Sequence, residues 1–69
     1  MPDLDTSSRF AEPDAAFRLL IEAHRGLDAA ASAGLDARLV LLLANHIGDA
    51  GVLRQAIAKA IEAGQPARQ

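Results

Sequence analysis

The feature that most constrains the fold is an aliphatic run in the middle of the chain, where the five residues 39–43 are all large and apolar. The run is too short to cross a membrane, which takes about 20 apolar residues. It is also more continuous than the one-sided apolar stripe of a helix that faces water. Other protein must therefore cover the run, and a chain of 69 residues has little of its own to offer.

The composition predicts an all-α fold. Alanine and leucine dominate, tryptophan and tyrosine are absent, and no run of β-branched and aromatic residues suggests a strand. We predict a small three-helix arrangement with a long central helix. A domain of this size is marginally stable by itself, and without cysteine it has no disulfide to support it. We therefore expect a homo-oligomer, with a dimer favoured.

The first helix is predicted over Pro13–Arg25, because proline suits the first helical position. Apolar residues and one histidine recur there at i, i+3, i+4 and i+7: Phe17, Leu20, Ile21 and His24. Asp14 and Arg18 have the spacing of an i,i+4 ion pair. Gly26 is placed to end the helix in the left-handed conformation.

The second helix is predicted to follow Asp28, its N-cap, and to end near Ile47 before Gly48. The sequence leaves open whether this helix continues through Gly34. Its second half carries two adjacent apolar stripes: Leu35, Leu39, Leu42 and His46, then Val40, Leu43 and Ile47. Together they span an arc of roughly 160°, wider than one neighbouring helix covers, so we expect partners on at least two faces.

The third helix is predicted over residues 50–63, capped by Asp49, with Gln55 among its outward residues. The domain organisation follows: residues 1–12 form a flexible tail, residues 13–63 a single helical domain, and residues 64–69 a C-terminal tail. An alternative for the first segment is an arm that docks on a neighbour through Leu4 and Phe10.

The candidate residues divide into a core and an interface. The predicted core comprises Phe17, Leu20, Ile21, Leu35, Leu39, Leu42, Leu53, Ile57 and Ile61. The predicted interface comprises Val40, Leu41, Leu43, Ala44 and Ile47. This division expects the first and third helices to close on one side of the second, which leaves its other side for another chain.

Several function classes are disfavoured. The basic residues are spread among acids at a net charge of −2, which argues against nucleic-acid binding. The third helix begins Ala50-Gly51-Val52-Leu53, which offers nothing to read bases as a recognition helix. No serine lies in a nucleophile elbow, and no glycine-rich phosphate loop follows a strand, so we expect neither an enzyme nor a cofactor. The N-terminus lacks a secretory signal, so a cytoplasmic location is expected.

The histidines are the strongest candidates for metal ligands, with Asp49 as a third. His24 is expected beside the start of the second helix, and His46 lies near its end, roughly 27 Å away at 1.5 Å per residue. A site that uses both histidines therefore requires a dimer or a break at Gly34. Because each also lies near a helix C-terminus, where a partly positive imidazole is favourable, the sequence predicts no metal.

Two segments, Ala23–Leu27 and Leu41–Asp49, resemble a family of short bacterial proteins described only as a domain of unknown function. The resemblance spans roughly residues 10–62, and it departs at Asp28-Ala29-Ala30, where the family has a Ser-Glu-Glu type of cap. It implies no catalytic residues. Because some relatives are encoded near flavin-dependent aromatic hydroxylases, the resemblance implies an accessory subunit of a larger enzyme.

The leading hypothesis is a small non-catalytic protein-interaction module that associates with itself, with a larger protein, or with both. We expect it to bind neither nucleic acid nor membrane. The alternative is a metal- or small-ligand-binding protein that uses His24 and His46 across a dimer interface.

Overall fold

The computed structural model describes residues 2–65, which form three α-helices joined by short links. Helix α1 spans Pro13–His24, α2 spans Ala29–Ile47 and α3 spans Ala50–Gly64. No strand occurs in residues 2–65, so the all-α prediction is confirmed for this range. Helix α1 ends one residue before the predicted boundary and α3 one residue after it. Residues 66–69, most of the predicted C-terminal tail, lie outside the described residues.

The helix ends follow the capping residues that the sequence indicated. Asp28 Oδ1 accepts a hydrogen bond from the Ala31 amide at 2.8 Å, and Asp49 Oδ1 accepts one from the Val52 amide at 2.9 Å. Gly48 ends α2 with a φ of 67°, in the left-handed region that favours glycine. Helix α2 is continuous through Gly34, which settles the question that the sequence left open.

The three helices spread apart instead of closing into a bundle. The radius of gyration is 14.2 Å, whereas a compact chain of this length has about 11 Å. Helices α2 and α3 pack against each other, and half-buried residues such as Ala44, Asp49 and Val52 lie around the corner that joins them. Only Gly48 and Asp49 separate these helices. Because Leu41 and Leu42 of α2 remain exposed, α3 does not cover the length of α2.

The predicted core is not assembled in the single chain, because no residue between 2 and 65 is buried. Three members of the predicted set are half-buried: Leu35, Leu39 and Leu53. The other six are exposed: Phe17, Leu20, Ile21, Leu42, Ile57 and Ile61. The expectation that α1 and α3 close on α2 within one chain is therefore wrong for the single chain. Burial of these side chains in an assembly stays a prediction.

The segment before α1 lies beside α3 without forming a helix or strand. The Leu4 amide donates to Gln55 Oε1 at 2.9 Å, and Gln55 Nε2 donates to Asp3 Oδ1 at 3.2 Å. Gln55, expected on the outward face of α3, is half-buried by these contacts. Phe10 remains exposed. Of the two residues of the predicted docking arm, Leu4 thus contacts α3 of its own chain, whereas the ring of Phe10 is largely exposed.

Candidate functional site: the aliphatic surface of α2

The middle of α2 presents bare aliphatic side chains in every direction around the helix. We call Val40, Leu41, Leu42, Leu43 and Ile47 the aliphatic surface. Successive helical residues are turned by about 100°, so the first four of them point to four sides of α2. Their exposed fractions are 59%, 71%, 68% and 52%, in chain order. Each of these four side chains therefore remains more than half exposed in the single chain.

The structure does not separate the predicted interface from the predicted core. Of the predicted interface residues, Ala44 is half-buried and the other four are exposed. Leu42, assigned to the core, is more exposed than Leu43, assigned to the interface. Both sets therefore contribute to one continuous apolar surface, because α1 and α3 diverge from this part of α2.

Helices α1 and α3 each add an exposed apolar stripe of their own. In α1 the stripe contains Phe17, Leu20 and Ile21, and in α3 it contains Ile57 and Ile61. An open groove of about 500 Å³ runs along the end of α1 and is lined by Leu20, Ile21, His24 and Arg25. Its lining is mostly apolar, so it suits an apolar side chain of another protein better than a polar metabolite.

His24 joins α1 to α2 through two hydrogen bonds. Its Nδ1 donates to the Leu20 carbonyl at 2.6 Å, and its Nε2 donates to Asp36 Oδ1 at 2.6 Å. Both partners are acceptors, so the doubly protonated imidazolium satisfies the pair best. The pKa of His24 is therefore raised above its ordinary value, chiefly by the Leu20 carbonyl and then by the Asp36 carboxylate.

The three candidate metal ligands do not come together in the single chain. His24 bonds to Asp36, which lies in the interior of α2. The sequence had placed His24 beside the start of that helix. Asp36 lies ten residues before His46, about 15 Å along the helix, whereas zinc holds its ligands about 2 Å away. Asp49 is engaged in capping α3. Between residues 2 and 65, no group of three histidines or carboxylates is placed to hold a metal ion.

Sequence reasoning missed Asp36 and Gln55, the two polar residues that connect separate segments. Each pairs with residues far away in the chain, His24 for Asp36 and residues 3 and 4 for Gln55. No local spacing rule reports such a pair. Asp14 and Arg18 have the spacing of an i,i+4 ion pair but form no salt bridge. On the same helix, Arg25 pairs with Glu22.

None of the helices described for residues 2–65 combines the length and the apolar character needed to cross a membrane. Among known proteins, no curated protein and no solved structure matches the chain. A family model does match, over residues 4–62, and its description is "Protein of unknown function (DUF2783)". This range includes all of α1 and α2 and nearly all of α3. The chain therefore belongs to the DUF2783 family of proteins of unknown function.

Proposed function

We propose that the chain is a non-catalytic helical interaction module whose aliphatic surface is covered by another protein chain. The observation that carries the proposal is the absence of any buried residue between positions 2 and 65. A folded helix gains most of its stability from tertiary packing of its apolar face, whereas Val40, Leu41, Leu42 and Leu43 of α2 each remain more than half exposed in the single chain. The exposed apolar side chains of α2 become packed when another protein chain covers them.

The amount of exposed area supports the proposal. The chain exposes 6199 Å². A compact folded monomer of 7.2 kDa exposes about 4,100 Å². The excess is therefore about 2,000 Å² per chain, and interfaces of permanent complexes bury roughly 2,000 to 5,000 Å² over both partners.

The chemistry of the surface indicates what kind of partner it suits. No residue from Leu39 to Gly48 is an acid, a lysine or an arginine, so a partner that covers this segment buries no unpaired charge of those types. The matching surface must itself be apolar, as in helix-in-groove and bundle contacts. The role of accessory subunit to a flavin-dependent enzyme rests on the family resemblance alone, and the cytoplasmic location stays a prediction.

The metal-binding alternative has less support. Both nitrogens of His24 are engaged, with the Leu20 carbonyl and with Asp36, whereas a ligand nitrogen must offer a free lone pair to the metal. A site built from His24 and His46 of two chains stays a prediction. It requires His24 to release at least one of these partners.

The test measures the size of the native assembly. The tagged chain is expressed at its natural level in its native cell, and the mass at which it elutes from a sizing column is measured in the fresh extract. We expect a mass above that of one 7.2 kDa chain. Leu41→Glu places a charge on the aliphatic surface, so we expect it to reduce the mass to that of a single chain.

The matched control is Leu19→Glu. Leu19 and Leu41 are almost equally exposed, at 74% and 71%, but Leu19 lies two positions from Phe17 and thus on the far side of α1 from its apolar stripe. The control should keep the native mass. The proposal fails if the unsubstituted chain elutes as a folded single chain, or if both glutamate variants change the mass equally.

A further inference from the structure

Each of the three helices exposes an apolar stripe that has no partner in the chain. A different protein would have to supply a separate cover for α1, for the exposed side chains of α2 and for α3. A second copy of the chain carries the same three apolar stripes. Each copy can therefore cover the stripes of the other with its own. A two-fold interface has this property, because the same patch of both subunits forms it.

One face of α2 has the symmetry that such pairing requires. Val40, Leu43, Ala44 and Ile47 follow one another at i, i+3, i+4 and i+7, and therefore lie on one face. Ala44 is half-buried near the corner with α3, and the other three are exposed. In two antiparallel helices related by an axis between positions 43 and 44, Val40 meets Ile47 of the partner subunit. Beside the axis, Ala44 lies next to Ala44 of the partner subunit, and Leu43 lies next to Leu43 of the partner subunit. The small alanine side chains let the helices approach closely, and the leucines fill the space beside them.

We propose that the aliphatic surface is covered by a second copy of this chain, with the two α2 helices antiparallel about an axis beside Leu43 and Ala44. The proposal rests on the proposed function and names its partner. The α2 pair covers one side of each helix, and the stripes of α1 and α3 from the second copy cover the exposed leucines on the remaining sides. The exposed area supports this arrangement, because the excess of about 2,000 Å² per chain is of the size that permanent dimers bury, roughly 2,000 to 5,000 Å² over both subunits.

The chain lends itself to a disulfide test, because it has no cysteine of its own. Packed helices lie about 8 to 10 Å apart, with Cα atoms about 2.3 Å from each axis, which leaves roughly 3 to 5 Å between directly facing Cα atoms. Ala44 lies to one side of the line of closest contact, so its Cα atom and that of its counterpart are somewhat further apart, within the range of about 4.4 to 6.8 Å that a disulfide joins. Ala44→Cys should therefore form a disulfide-linked dimer in the purified full chain under mild oxidation.

The direction of pairing is tested with two further variants. When equal amounts of the Val40→Cys and Ile47→Cys proteins are unfolded together, refolded and oxidised, random pairing would give about twice as much mixed disulfide as either self-linked dimer. We expect the mixed disulfide to exceed this twofold ratio. A parallel pair would instead link Val40→Cys to itself, and that result would overturn the proposal. Arg18→Cys, on the charged side of α1, is the control and should remain unlinked. Linkage of the control to the same extent would mean random collision, which also overturns the proposal.

Light scattering on the purified chain at two concentrations separates this proposal from the proposed function. A mass of two chains, or of a larger even number with the same mixed disulfide, supports the antiparallel pair. A folded purified monomer overturns it. If the native extract nevertheless gives a large complex that depends on Leu41, the interaction module stands and its partner is a different protein. If the extract also contains only the single chain, both proposals fail.

Discussion

Leu43→Ala gives a quantitative test, because Leu43 lies beside the proposed axis and occurs twice in the interface. Full burial of a leucine side chain is worth about 1.5 to 3 kcal/mol, and Leu43 is 52% exposed in the single chain. About half of that free energy is therefore gained on assembly in each chain, so two copies contribute about 1.5 to 3 kcal/mol. The alanine variant should raise the dissociation constant of the dimer about 10- to 200-fold.

The assay is sedimentation of both proteins over a dilution series, with far-UV circular dichroism at each concentration. The dichroism detects any unfolding that accompanies dissociation. Leu19→Ala is the matched control, since it makes the same change at a leucine that is even more exposed. It should alter the dissociation constant by no more than about twofold, because isolated surface substitutions stay within about 0.5 kcal/mol. Equal weakening by the two variants, or none by Leu43→Ala, would refute the reasoning.

Three further predictions concern the helix ends and the α1–α2 contact. For each, the free energy of unfolding is measured by urea denaturation at a fixed chain concentration. Asp49→Ala removes the cap of α3 and should cost about 1 kcal/mol, whereas Asp49→Asn should keep most of that stability; equal losses would exclude a capping role. Gly48→Ala should cost about 1 kcal/mol because of its left-handed φ of 67°, whereas Gly64→Ala, at a φ outside that region, should not destabilise the protein. The His24 contact should stabilise the fold fully below the ordinary imidazole pKa of 6.5 and lose this effect as the pH rises through the higher pKa of the folded state. Asp36→Asn should flatten this dependence, and an unchanged pH profile would contradict the assignment.

The polar contacts made by His24 and Gln55 lie outside what one sequence can predict. Asp36 is an ordinary acid on a helix until the turn through Gly26 brings His24 beside it. Gln55 fits the outward face of α3 by its spacing, yet the segment before α1 returns to bond it. Both pairs depend on the path of the chain between distant positions, whereas spacing rules describe neighbours within one or two turns.

The sequence by itself determined the class of the fold and the position of every helix end to within one residue. The capping residues Asp28, Asp49 and Gly48 act on atoms within four positions of themselves, so their effect is readable from the printed chain. Only the tertiary structure decided how the helices are disposed, and hence that α1 and α3 leave the aliphatic surface uncovered. Burial depends on the angles between the helices. Short links allow many such angles, and only packing between distant segments of the chain selects one of them. For the same reason, the sequence-based division of leucines into core and interface did not appear in the single chain, where the residues of α2 from Val40 to Leu43 are exposed on all sides.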